Sequence, residues 1–390
     1  MSSVRCDVLI IGGGVMGASA AYFLKTLAPT LDVVVVEPDP SYRRAATPRA
    51  SGGIRQLFSC PENVQMSRFS LGFYERFAPL METPAGRPDV RFQRQGYLFV
   101  VPESGRPALE ASHRLQRDLG VNVLLLDPAE VRDRFPALCT DDLALAAFSP
   151  DDGWLDPAAV LHGFLAKARS LGVRSRTDAV VDLDHDGVRV RGARLASGDE
   201  VRADVVINAA GAWADQVCDL VGMPLPVRPL RRFVHSFTCP SVVEPLPFVK
   251  DPQGLALRPD GHGYTAGLVD LRVPRGFDDT VDERYFPEVV WPALARRVPA
   301  FAVVEQVRTS VGFYDQNDLD GNMILGSWPG LLENFLVAAG FSGHGLMHAP
   351  AVGRALAELT LYREFRSLDL TRLGYQRVVE DQPYREAGIL

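Results

Sequence analysis

Hydrophobic positions near the N-terminus come in unbroken runs. Residues 5–11 (Arg-Cys-Asp-Val-Leu-Ile-Ile) and 32–37 (Asp-Val-Val-Val-Val-Glu) are short, β-branched and without polar alternation, which predicts strands of a parallel sheet covered on both faces. Residues 15–28 between them read as a helix, so the segment is a right-handed βαβ unit. From Pro61 to Met81, the spacing of Val64, Phe69, Phe73 and Phe77 predicts a helix with Pro61 in its first turn. A strand at 96–101 follows, then helices over 104–119 and 157–171, the second opened by Asp156 and Pro157. Segments 178–184, 188–193 and 201–208 read as a strand meander, with turns at Asp186-Gly187 and Ser197-Gly198-Asp199. Residues 222–320 are strand-rich with many prolines. A last buried strand at 335–339 leads through a glycine-rich turn into a helix over about 346–362.

Composition narrows the class. With 390 residues, 47% apolar and 23% charged, the chain is an ordinary globular protein of two or three domains. A net charge of −7 argues against a dedicated nucleic-acid binder. No run of 18 apolar residues predicts a membrane span. The five cysteines, Cys6, Cys60, Cys139, Cys218 and Cys239, form no CxxC pair and no even framework, so a reducing, cytoplasmic setting is expected. Only three lysines occur, Lys25, Lys167 and Lys250, so lysine chemistry has few candidates.

The first chemical signal lies between the two N-terminal strands. Gly12, Gly14 and Gly17 satisfy G-x-G-x-x-G at a strand-to-helix junction, the context that gives the pattern meaning. Gly12 permits the tight turn, Gly14 lets backbone approach a pyrophosphate, and Gly17 lets helix pack on strand. Val15 and Met16 open the helix whose free N–H groups would face phosphate. Glu37, at the end of the second strand, suits ribose hydroxyls and repels a 2′-phosphate. This fingerprint fits FAD and NAD alike.

Three further segments carry a family resemblance: Ala50-Ser51-Gly52-Gly53-Ile54-Arg55-Gln56, Ile207-Asn208-Ala209-Ala210-Gly211-Ala212-Trp213, and Gly340-Phe341-Ser342-Gly343-His344-Gly345 followed by Ala349-Pro350-Ala351-Val352-Gly353. With them the chain resembles the D-amino-acid oxidase superfamily of flavoproteins, in its sarcosine oxidase and dimethylglycine dehydrogenase branch. Gly53-Ile54 with Pro61–Gln65, Trp291-Pro292 with Arg296–Phe301, and Asp315-Gln316-Asn317 are similar to a mitochondrial group linked to respiratory complex I assembly, whose substrate does not carry over.

The resemblance implies an α/β fold: a Rossmann-like FAD domain with a parallel sheet, from residues 1–80, 150–222 and 325–365, and a discontinuous α+β substrate domain with an antiparallel sheet, from 85–148 and 223–324. Residues 366–390 would form a surface tail or partner contact. It implies non-covalent FAD held by Gly12, Gly14, Val15, Met16, Gly17, Glu37, Pro38, Thr47, Ser51, Gly52, Val180, Ala210, Gly211, Trp213, Gly340, Ser342, Gly343, His344, Gly345 and Met347. No histidine lies between residues 1 and 112 and no cysteine after Cys239, where relatives attach flavin covalently; Cys60 reads as a small buried hydrophobe. No metal is expected at His344 and His348, since no Glu stands between them as in zinc proteases.

Arg55 is placed by the resemblance to bind a substrate carboxylate through its planar fork, and His344 and His348 are the other catalytic candidates. Two departures bear on the acceptor. Where the sarcosine oxidase branch has a lysine two positions after Gly-His-Gly, this chain has Met347; where a second lysine promotes oxygen reduction, it has Thr265. Lys250 is the one lysine left to substitute, and no motif places it near the flavin, so a dehydrogenase is expected over a fast oxidase. The implied reaction is hydride transfer from a secondary or tertiary amino acid to flavin, with oxygen or a respiratory carrier as acceptor. Oxidation of a 2-hydroxy acid, which needs a base such as His344 or His348, and a flavin-bearing assembly protein are the alternatives.

Overall fold

The computed structural model describes residues 3–387. Two eight-stranded sheets organise it. In the first, Phe335–Ala339, Glu200–Asn208, Ser3–Ile11, Val33–Glu37 and Arg174–Thr177 lie side by side and parallel. Their apolar runs are buried on both faces, as the absence of alternation requires. Strands Val180–His185 and Val190–Leu195 extend Glu200–Asn208 as an antiparallel meander. Short Ile324–Gly326 closes the opposite edge, antiparallel to Phe335–Ala339.

The helices Val15–Leu27, Pro61–Tyr74 and Gly345–Tyr362 pack together over one face of this sheet. Close approach depends on absent side chains: a Cβ on Gly17 would sit 2.0 Å from the Gly12 carbonyl oxygen, and one on Gly353 would sit 2.1 Å from Ser19 Oγ. Pro350 lies inside the third helix. Its missing N–H frees the Leu346 carbonyl, which instead accepts the Tyr74 hydroxyl at 2.5 Å. Pro61–Tyr74 ends earlier than the apolar stripe predicts, and Phe77–Leu80 forms a separate turn of helix.

The second sheet runs Glu305–Asn317, Val227–Thr238, Gly263–Leu268, Leu255–Asp260, Phe248–Lys250, Tyr97–Val101, Leu145–Ser149 and Leu124–Leu126. It is mixed: all pairs are antiparallel except Phe248–Lys250 alongside Tyr97–Val101. This sheet meets the first at the segment Ser51–Gln56, where Gly53–Ile54 pairs with Gly153–Trp154.

The C-terminal residues depart from the surface tail expected of 366–390. Leu370, Leu373 and Tyr375 are buried. Arg377 donates to Asp320 (Nε to Oδ2, 2.8 Å) and to the Met323 carbonyl (2.9 Å). The apolar residues are spaced too irregularly to announce a core element, yet these three are packed inside. Residues 388–390 of the expected tail lie outside the described residues. No helix among the described residues is long and apolar enough to cross a membrane.

Candidate functional site

A cleft of about 640 Å³ opens at the carboxyl ends of the parallel strands, where open α/β sheets bind ligands. Gly12, Gly14, Val15, Met16, Glu37, Pro38, Thr47, Val180, Ala210, Gly211, Trp213, Gly343 and Gly345 all line it. Gly12 has φ +98°, and a Cβ there would lie 2.5 Å from the Ala209 carbonyl oxygen. That position is closed to any other residue on both counts. Glu37 is fixed by accepting the Gly13 N–H (2.8 Å) through Oε2 and the Asp39 N–H (2.9 Å) through Oε1. Burial raises its pKa, and these N–H donors oppose the rise. Gly14 caps the helix with no side chain, so donors at the helix start face the cleft.

Two residues of the expected cofactor set stand behind this surface. Gly17 packs on Gly12, as above. Gly340 donates its N–H to Asp315 Oδ2 at 2.9 Å, and Phe341 does so at 3.1 Å. Asp315, which no motif reading gave a role, therefore anchors the glycine turn. Burial pushes its pKa up to about 6. Ser342, in the left-handed region at φ 48°, accepts the Asn317 N–H at 3.0 Å.

A second cavity, about 130 Å³, adjoins the first and shares with it Ala46, Ala50, Tyr314, Gly343 and Leu346. Ser51, Gly52, Arg55, Ser342, Gly343, His344 and Met347 line it from one side, and the second sheet lines it from the other. Gly52, at φ +82°, packs so tightly that a Cβ would lie 2.1 Å from the Leu155 carbonyl oxygen. The Ser51 carbonyl is held by Arg258 Nε at 2.7 Å. Asp152, fully buried, accepts both the backbone N–H and the side-chain amide of Gln56 at 2.8 Å. Burial pushes its pKa up to about 6. Arg258 and Asp152 are thus supports that only the folded chain brings to the 51–56 segment.

Arg55 is buried. It donates to the Leu57 carbonyl (2.6 Å) and to His344 Nε2 (3.0 Å), and it stacks 4.0 Å from the Phe58 ring centroid. A guanidinium only donates, so His344 Nε2 accepts and its proton sits on Nδ1. Burial first, then Arg55, His348 and Lys250, hold His344 well below its usual pKa. It is neutral. Its buried Nδ1 has no partner among the described residues, a donor suited to a bound acceptor atom.

His348 is elsewhere. It is fully buried, bonded to Ser67 Oγ at 3.0 Å and packed on Phe58, and it does not line the cavity. Burial, then Arg55, pushes its pKa down to about 3. The expectation of a catalytic role for it is therefore corrected: the ring faces the helix interface. Lys250 is the converse case. It lines the cavity alongside Thr265 and Met347, because the parallel pairing of Phe248–Lys250 with Tyr97–Val101 carries it there. Burial, then Arg55 and Arg232, pushes its pKa down to about 7. The argument for slow reaction with oxygen rested on a missing cation, and Lys250 removes that ground. Cys60 is buried with its thiol pushed up to about 12.

A glycine cradle, a fixed acid at the second strand and an adjoining cavity bearing an arginine and a neutral histidine fit an oxidoreductase that binds a dinucleotide cofactor. Residues 7–359 match the family model DAO, FAD dependent oxidoreductase. The chain belongs to that family, and FAD is its cofactor. It is 38% identical to FAD-dependent oxidoreductase domain-containing protein 1 of Xenopus laevis, over 99% of this chain and 85% of that one. It is 27% identical to mitochondrial dimethylglycine dehydrogenase of Rattus norvegicus, over 92% of this chain and 43% of the relative. Among solved structures, L-proline dehydrogenase from P. horikoshii superposes with a TM-score of 0.85 at 24% identity, covering 98% of this chain and all of the other.

Proposed function

We propose that the protein oxidises the C–N bond of a small carboxylate-bearing secondary or tertiary amine of the N-methyl amino acid type. Bound FAD supplies the hydride acceptor, and the imine product hydrolyses in water. The observation that carries this reading is the charge of the second cavity. Arg55 and its cationic neighbours line it, and no Asp or Glu among the described residues does. Such a site attracts a carboxylate and disfavours an ammonium, so the bound amine is held neutral, the form from which hydride leaves. His344 keeps the Arg55 fork in place and presents an N–H rather than a base. The relative whose name specifies dimethylglycine points the same way. FAD is held non-covalently, and the acceptor is oxygen or a respiratory carrier.

One observation favours a second reading. Lys250, pushed down to about 7, has the basicity to deprotonate a hydroxyl at neutral pH, which would suit a 2-hydroxy acid. Anaerobic incubation with N-methylglycine, dimethylglycine or 2-hydroxyglutarate, followed by product analysis, separates the two. Formaldehyde or glyoxylate from the amines supports the proposal. A 2-oxo acid from 2-hydroxyglutarate, with no amine product, replaces it with the hydroxy-acid reading.

A further inference from the structure

The larger cleft carries its acids in two places. Glu37, Asp39, Asp178 and Asp315 line it. The first three belong together: Glu37 accepts the Asp39 N–H at 2.9 Å, and the Asp178 N–H donates to the Glu37 carbonyl at 3.2 Å. Asp315 stands apart from them, on the strand Glu305–Asn317 of the other sheet. Its chain neighbour Tyr314 and the turn residue Gly343 line both the cleft and the smaller cavity. Hydride transfer needs donor and acceptor in contact, so the redox-active ring of FAD belongs at this junction. Glu37 and its companions then lie at the ribose end. Among the described residues, Asp315 is the one acid lining the ring end.

Asp315 also organises the glycine turn. Its Oδ2 accepts the N–H groups of Gly340 and Phe341, and its backbone carbonyl accepts that of Ser342 at 3.1 Å. The turn is tight: Ser342 and Gly343 are both left-handed, at φ 48° and 94°, and a Cβ on Gly343 would lie 2.5 Å from the Tyr314 ring. A serine keeps such a backbone only where its surroundings hold it, and Asp315 supplies much of that hold. Two N–H donors on one oxygen favour the carboxylate form. They work against burial, which pushes the pKa up to about 6, so the group is charged at neutral pH. The far wall has the opposite sign: Arg49, Arg55, Arg232 and Lys250 line the smaller cavity. Cations favour the added electrons of a reduced ring, and a buried carboxylate disfavours them.

We propose that Asp315 is a positioning residue that holds the glycine turn and, through its charge, lowers the reduction potential of the bound flavin. The reduced cofactor is thereby readied to pass its electrons to an acceptor. The inference rests on FAD as cofactor and not on which substrate is oxidised. Asp315→Asn separates the two roles, because the amide oxygen still accepts both N–H groups while the charge is gone. FAD affinity is read by equilibrium dialysis, and the potential by anaerobic reduction against a reference dye. Oxidised FAD should bind the variant within about threefold of the unaltered protein. The reduced form should be favoured about tenfold more than before, a rise of about 30 mV for a two-electron couple. Asp315→Thr is neutral, keeps an acceptor oxygen and suits a strand, so it carries the same prediction for the potential should Asp315→Asn not fold. An unchanged or lower potential in these variants would overturn the proposal. Equal weakening of oxidised and reduced FAD would also overturn it, since a purely structural residue gives that result.

Discussion

The two adjoining cavities are built from different materials. The larger cleft carries the strand-to-helix glycines: Gly12, Gly14, Gly211, Gly343 and Gly345 line it, and the Glu37 carboxylate there is fixed by two N–H groups. The smaller cavity adds side-chain charge: Arg232 and Lys250 come from the second sheet with Tyr97 and Tyr314, and Arg55 from the segment after Gly53–Ile54. At Gly12 a Cβ would run into the Ala209 backbone, so that part of the cleft tolerates no side chain. A side-chain site is tuned by charge, and single changes there should alter affinity without removing the cofactor.

The largest effect is expected at the cradle. Gly12→Ala forces a Cβ to 2.5 Å from the Ala209 oxygen at a positive φ, so FAD affinity should fall about a hundredfold or more. Equilibrium dialysis against FAD measures it, and yellow protein of normal affinity would break the comparison from the cleft side. Arg55→Met comes next. Removing the buried guanidinium that holds His344 and is proposed to hold the carboxylate should weaken carboxylate binding about thirty- to a hundredfold, with FAD still bound. Flavin-perturbation titration reads the first and the protein's colour the second.

A smaller effect is pH-dependent. Lys250 sits at about 7 in the ligand-free protein, pressed by burial, Arg55 and Arg232. Its charge is present below that value and lost above it. Anion affinity should therefore fall as pH rises through 7 to 8, by at most about tenfold per pH unit. Lys250→Met should abolish that limb, and a limb that survives in the variant contradicts the assignment. The smallest effect is expected at the C-terminal segment. Glu386 accepts the Ser59 and Cys60 N–H groups at the start of Pro61–Tyr74, which has no side-chain cap of its own. Glu386→Gln should cost about 1 kcal/mol of stability, seen as a lower denaturation midpoint with substrate affinity unchanged.

The same contrast decides what the sequence discloses. The βαβ unit was legible because its constraints are local: unbroken Val and Ile runs for a doubly covered sheet, and glycines at fixed spacing for the turn. Thr47, Val180 and Trp213 line the cleft, though no spacing rule marks them. Lys250 and Arg232 were illegible for a physical reason. Arg232 sits between strands distant in sequence and Lys250 beside the distant Tyr97–Val101, and which face a side chain takes depends on a register that one residue's slip would invert. His348 misled because its position near the glycine turn carries no information about the helix face it occupies. Asp315 stands in a motif, but its task, holding the Gly340 and Phe341 N–H groups, appears only when residues 25 and 26 apart meet.

The most direct test of the whole account is the visible spectrum of the purified protein, taken without oxygen before and after adding an N-methyl amino acid or iminodiacetate. The account predicts yellow protein whose flavin band bleaches on addition. Yellow protein that no amine bleaches would contradict the proposed reaction, and colourless protein that FAD does not reconstitute would contradict the cleft itself.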